Sequence, residues 1–227
     1  MSIALGVYNE SASSGAISLG YGNKNSGFNS TAVGAINEVT GNSAFAYGYK
    51  NIVSGDFGVA FGQENQAGEM GFAGGVKSHA TGKGAFAFGN ETQATNEYAH
   101  AEGGDTTASG ARSHAEGSGT FATGARSHAE GTETVASGTA SHAEGGPRID
   151  STGKPWSTTA SGNYSHAEGA GTKALGHASH AEGEKTVASD YAHAEGYGTN
   201  AKGPHSHAEG STTRAYGVST HAEGWNT

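Results

Sequence analysis

The sequence predicts an all-β repeat protein, a β-solenoid whose coils are 14 residues long. Three observations carry this. The tetrapeptide His-Ala-Glu-Gly recurs nine times, beginning at His100, His114, His128, His142, His166, His180, His193, His207 and His221, at intervals of 14, 14, 14, 24, 14, 13, 14 and 14 residues. Its closing glycine extends the same spacing backwards through Gly89, Gly75, Gly62, Gly48, Gly34, Gly20 and Gly6, so sixteen landmark glycines cover almost all of the 227 residues. Around each landmark, large and small side chains alternate with the period of two that belongs to a strand.

The first element of each coil is a strand ending at the landmark. Large residues stand three and one positions before it, with a small residue, usually alanine, between them. The large pairs are Ile3 and Leu5, Ile17 and Leu19, Phe45 and Tyr47, Val59 and Phe61, and Phe86 and Phe88. From His100 onward the same two positions hold His and Glu. The second element is a shorter strand with a hydrogen-bonding residue at +3 and a small or β-branched residue at +5. Position +3 is asparagine in the first five units (Asn9, Asn23, Asn37, Asn51, Asn65) and mostly threonine later. Stacked copies of either are expected to form ladders between coils. The third and fourth elements are turns, marked by the landmark and by a frequent glycine seven residues on. There φ is expected to be positive, or backbones to approach closely. A unit this small buries a face only by stacking on its neighbours, and strands about 4.8 Å apart give a rod roughly 70 Å long. The 13-residue units near Gly68 and Asp190 are expected to absorb a shortened turn.

Composition fits such a narrow roll. The chain has 40 glycines, 33% hydrophobic and 15% charged residues and no cysteine. Small side chains and close backbones must therefore replace a Leu/Ile/Phe core. A net charge of −9 argues against nucleic acid as a partner. No run of 18 apolar residues occurs, so membrane insertion by a helix is not expected. Residues 1–6 do not read as a secretory signal, which leaves either another route or a fragment.

If alanine fills the roll, the alternate face carries Ile, Phe, Val and Tyr outward, a stripe larger than soluble monomers usually expose. Self-association at a symmetry axis would cover it. Here a family resemblance enters. Asn42-Ser43-Ala44-Phe45-Ala46-Tyr47-Gly48 and Ser30-Thr31-Ala32-Val33-Gly34, each followed by a small-residue half such as Val53–Gly55, resemble the head repeats of trimeric autotransporter adhesins, the YadA-like left-handed parallel β-roll. The Ser-His-Ala-Glu-Gly form is similar to repeats of phage tail-fibre and appendage proteins. The resemblance spans roughly residues 2–224 and implies a homotrimer. It is one continuous repeat domain, with apolar axial positions over residues 1–98 and His/Glu positions over 99–227. The trimer-interface set is the apolar pairs above with His100, Glu102, His114, Glu116, His128, Glu130, His142, Glu144, His166, Glu168, His180, Glu182, His193, Glu195, His207, Glu209, His221 and Glu223.

The His–Glu pairs read first as polar groups meeting at that interface, each imidazole donating to a carboxylate of its own or a neighbouring subunit. Bound metal is the alternative. Catalysis fits poorly, because an active site needs one asymmetric constellation and these layers are near-identical. No cofactor is expected, apart from one possible axial metal site. Pro204-His205-Ser206-His207 contains a His-x-His, and on a strand His205 and His207 would face one way, so three copies would offer six imidazoles. The alternative leaves His205 in a turn facing solvent. The 24-residue interval contains an insertion at about 146–157, expected to emerge as a loop. Its Trp156, with Arg148, Asp150 and Lys154, is a candidate receptor-binding set for a sugar; the alternative is that Trp156 only packs.

The leading function is a structural and adhesive fibre segment of a phage tail fibre or virion appendage, placed on the virion. Its expected partners are two further copies of itself, other fibre or virion proteins at the ends, and a host-surface glycan or protein. The alternative is an adhesin head on a bacterial surface. A glycan-degrading tailspike would need paired carboxylates in a groove, for which only Asp105, Asp150 and Asp190 lie outside the repeat set.

Overall fold

The computed structural model describes residues 1–149 and 153–227, which form two units, residues 1–112 and 113–227. No helix occurs among the described residues. In the first unit, eight five-residue strands from Ile3–Val7 to His100–Gly104 form one parallel sheet. The two-residue strands from Glu10–Ser11 to Thr107–Ala108 form a second. The second unit repeats the plan, with long strands from His114–Ser118 to His221–Trp225 and short ones from Phe121–Ala122 to Arg214–Ala215. Landmark glycine pairs with landmark glycine throughout both units, for example Gly34 with Gly48 and Gly131 with Gly145. The expected β-solenoid is the observed fold.

The interior is built from small residues. Ala32, Ala46, Ala60, Ala87, Ala129 and Ala181, each the second residue of a long strand, have no exposed surface, and neither do Val39, Val53, Ala94 and Ala136 from the short strands. The flanking large residues of the long strands point out, as the alternation predicts. The shortened coils lose one residue from the turn after the short strand. Phe72 pairs with Val59 although the preceding pair is Ala67 with Val53, and the turn before His193 is trimmed in the same way.

At +3 the asparagine ladder forms. The Oδ1 of Asn23 accepts from the backbone N and the Nδ2 of Asn37, both at 3.0 Å, and Asn37 does the same for Asn51. The threonine ladder does not. The Oγ1 atoms of Thr106, Thr120, Thr134, Thr172, Thr186, Thr199 and Thr213 are buried without a hydrogen-bond partner. The hydroxyl of Thr92 does reach the coil before it, its Oγ1 donating to Ser78 Oγ at 2.8 Å. Thr158 is different: its Oγ1 lies 2.8 Å from both Gly146 O and Gly169 O.

The two glycine positions act by different means. Each landmark glycine has φ above +100° or close to it, and at Gly131, with +106°, as at most of the others, a Cβ would fall on the carbonyl oxygen of the landmark one coil on. The glycine at +7, such as Gly138, has ordinary φ but lies equally close to backbone of the next coil. The left-handed residues are at +2 and −5, and most are not glycine. Ile36 (φ 59°), Lys50 (55°), Glu133 (51°) and Thr212 (57°) are examples at +2, and Phe57 (59°), Arg126 (59°) and Tyr191 (54°) at −5. Each costs about 1–2 kcal/mol locally, which the surrounding ladder must offset.

Candidate functional site

The outer face of the long-strand sheet carries the densest array of large side chains. In the first unit it is apolar and open: Leu5 is 68% exposed and Tyr47 56%. Toward the end of this unit aromatic rings condense. Phe72 stacks on Phe86 at 5.1 Å, and Phe61 and Phe88 approach to 5.9 Å. Gly74 makes the last contact possible, since a Cβ there would meet both rings at 2.8 Å. This gap in the large-residue pattern went unread in the sequence. Its signal was Gly74 itself, one position before the landmark, where the other coils carry a large residue. The apolar stripe passes into the His–Glu series at Phe86 and His100, whose rings are 4.6 Å apart.

In the second unit the imidazoles stack at the strand spacing. His114, His128, His142 and His166 follow one another at 4.7, 4.8 and 4.9 Å with interplanar angles of 6°, 1° and 6°. His180 and His193 lie 4.8 Å apart with a 47° tilt. In eight of the nine His–Glu coils the glutamate leans toward the histidine two residues before it. The Nε2 to Oε2 distance is 3.5 Å for His114–Glu116 and for His180–Glu182, 3.8 Å for His128–Glu130 and His142–Glu144, and 4.0 Å for His193–Glu195. Most of these exceed a hydrogen bond. The Nε2 atoms of His128, His142, His166, His180, His193 and His207 are covered and have no hydrogen-bond partner. Burial pushes the His142 imidazole pKa below its usual value, and charge on His128 and His166 adds to this, against the pull of Glu144 and Glu130.

The sequence-predicted His-x-His pair is not brought together on a strand. His205 lies in the turn, exposed, with φ 58°, and stacks on Tyr191 at 4.9 Å. His207 stands in the long strand and stacks on His193 at 4.8 Å. The two rings belong to different ladders.

The insertion leaves the coil as an antiparallel hairpin in which Arg148 pairs with Trp156 and Ile149 with Pro155. The core ignores it, for Val135 pairs with Thr159 and Gly145 with Gly169 across the break. Trp156 has Lys173 Nζ 4.4 Å from its ring centroid, and the Arg148 guanidinium pairs with Glu184. Both residues are thus engaged by later coils of their own unit. Lys154 is exposed at the hairpin, and Asp150 lies outside the described residues. Asp190 caps the turn before it, its Oδ1 accepting from His177 N at 2.8 Å.

Serine before the histidine was also unread. Ser127, Ser141, Ser165 and Ser179 donate to the carbonyls of Gly124, Gly138, Gly162 and Gly176 at 2.6–2.8 Å, closing the turn that presents each histidine.

Comparison with known families gives one result. Residues 26–51, 40–65, 75–99 and 101–127 match the family described as YadA head domain repeat (2 copies). No curated protein matches the chain. The matched coils are similar to YadA head repeats, a repeat known from surface adhesins, and the parallel β-solenoid is consistent with that likeness.

Proposed function

We propose that this chain of YadA-like head repeats is one strand of a homotrimeric fibre segment with a structural and adhesive role, in a phage tail fibre or another virion appendage that contacts the host. The observation that carries the reading is the outward face of the long strands. In the first unit it exposes Ile3, Leu5, Phe45, Tyr47 and Phe88, stacked in register with further apolar residues, and a soluble monomer would rarely leave such a stripe in water. YadA-like heads in general are trimers, and a threefold axis along this stripe would gather three copies of every layer. The reading is non-enzymatic: the same few residues recur coil after coil, without the pair of environments that separates an acid from a base.

Receptor contact is assigned to the hairpin, where Lys154, Pro155 and Trp156 project from the coil. Trp156 keeps 36% of its surface exposed despite Lys173, enough for the stacking of a sugar ring. An adhesin head on a bacterial surface uses the same geometry and is the second reading, favoured by the family match itself.

Light scattering at neutral pH tests the assembly. Three chain masses are expected, and Leu5→Glu combined with Tyr47→Glu should lower the mass. A monomer with an intact β signature would overturn the proposal.

A further inference from the structure

We infer that the His–Glu face of the second unit is a linear array of binding sites for a divalent transition metal, each formed between two successive coils by two imidazoles and one carboxylate. Four triads meet the geometric condition, their ligand atoms all lying within 4.8 Å of one another: His114, Glu116 and His128; His128, Glu130 and His142; His142, Glu144 and His166; and His180, Glu182 and His193. Two imidazoles and a carboxylate are a donor set suited to zinc or its neighbours. Around one zinc ion at about 2.0–2.1 Å, ligand atoms stand roughly 3.3 Å apart. Closing from 4.8 Å asks each atom to move by less than about 1 Å, and the nearly parallel rings must also turn so that both in-plane lone pairs converge on the ion.

The second observation concerns what these nitrogens can otherwise bind. The Nε2 atoms of His142 and His166, and of His180 and His193, have no hydrogen-bond partner, and their own chain already shields them from outside. A second copy docking on this face would meet ring edges and carboxylates, but not those nitrogens. An ion seated between the coils reaches both at once and draws in the carboxylate that stands at 3.8 Å in one triad and 3.5 Å in the other. The orphaned nitrogens are therefore better matched to an ion than to a partner subunit.

Sharing sets the stoichiometry. The first and second triads share His128, and the second and third share His142, so one Nε2 serves one ion at a time. The largest set without a shared histidine is the first, third and fourth triads, giving at most three ions per chain at these sites. Magnesium and calcium, which take oxygen ligands, should not compete.

The sites are complete within one chain, so the inference and the trimer can fail independently. The test is equilibrium dialysis of the full chain, stripped with EDTA, against micromolar zinc in excess magnesium, with bound metal counted by elemental analysis. Cobalt serves as the spectroscopic probe. Up to three zinc ions per chain are expected. His142→Phe and His193→Phe place in the His positions the residue that the same slot carries at Phe72 and Phe86, so the fold is kept. Each should remove one ion, and together two, with the circular dichroism unchanged. Glu144→Gln combined with Glu182→Gln should weaken two sites without altering ring packing, and gives the same answer if the phenylalanine variants misfold. Less than one ion per chain, a count insensitive to these substitutions, or binding abolished by His205→Ala alone would overturn the inference.

Discussion

Replacing Asn37 by threonine isolates the hydrogen bonding of the interior ladder, because the second unit carries threonine in the same slot and the shape is tolerated there. Asn37 is 1% exposed. Its Nδ2 donates to Val33 O, Gly48 O and Asn23 Oδ1, each at 3.0 Å, two hydrogens shared among three acceptors. Its Oδ1 accepts from the backbone N and Nδ2 of Asn51, also at 3.0 Å. The substitution removes some four effective bonds at about 1 kcal/mol net each, and leaves the Asn51 amide buried without its acceptor. A hydroxyl regains at most one of these, so local stability should fall by about 3 kcal/mol. Because stacked repeats open locally, a single global midpoint is a poor reporter. Amide hydrogen exchange is the suitable assay. The Asn51 amide and its coil neighbours should exchange on the order of 100-fold faster, with coils several repeats away unchanged. An Asn51 amide as protected as before would show that the ladder follows from the fold and contributes nothing to holding it.

Thr134→Val should be neutral or stabilising by up to about 1 kcal/mol, since its buried Oγ1 has no partner to lose; a clear loss in thermal stability would reveal a bond this geometry lacks. Gly131→Ala should destabilise by about 3 kcal/mol or more, from its φ of +106° and the collision with the Gly145 carbonyl. Gly119→Ala should cost no more than about 1–2 kcal/mol, because its φ of +64° suits the left-handed region and its Cβ would meet Glu133 only at an ordinary 3.5 Å; equal sensitivity of the two variants to proteolysis would refute the distinction. The His142 pKa lies below its ordinary 6.5 in the folded chain. Between the two values the unfolded chain binds more protons, so stability is complete above about pH 6.5 and is lost as the pH falls toward the folded value. With EDTA present, amides of the coils around His142 should lose protection between pH 7.5 and 5.5 while those of residues 17–76 keep theirs; uniform loss would remove the histidines from the explanation.

Coil length, strand order, the inward alanines and the outward large residues were all legible, because they depend on periodicity, and a period of two has one structural meaning. The asparagine ladder was legible for the same reason. What escaped depended on atomic reach. Asparagine and threonine look interchangeable as hydrogen-bonding residues, but the amides bridge coil after coil while seven threonine hydroxyls in the same slot find no partner. The glycine turns were legible as places of positive φ or close backbone approach, and the landmark glycines combine both. The ordinary left-handed positions fell to Ile36, Glu133 and Tyr191, whose cost the neighbouring coils override. Of the two readings of His205, the solvent-facing turn is the one observed, because a two-residue spacing shares a face only inside a strand, and the strand begins at His207.

The hairpin at Arg148–Trp156 shows that the winding is indifferent to what is spliced into this corner. Pairing resumes at Thr159 and Gly169 as though the extra residues were absent. The corner after a landmark glycine is therefore a natural graft point. A foreign peptide of similar length placed after Gly131 or Gly183 would be carried outward at a chosen coil, and its height could be reset by moving it in steps of one repeat. Diversity in what such a protein presents can then accumulate at its corners while the wound backbone beneath stays the same.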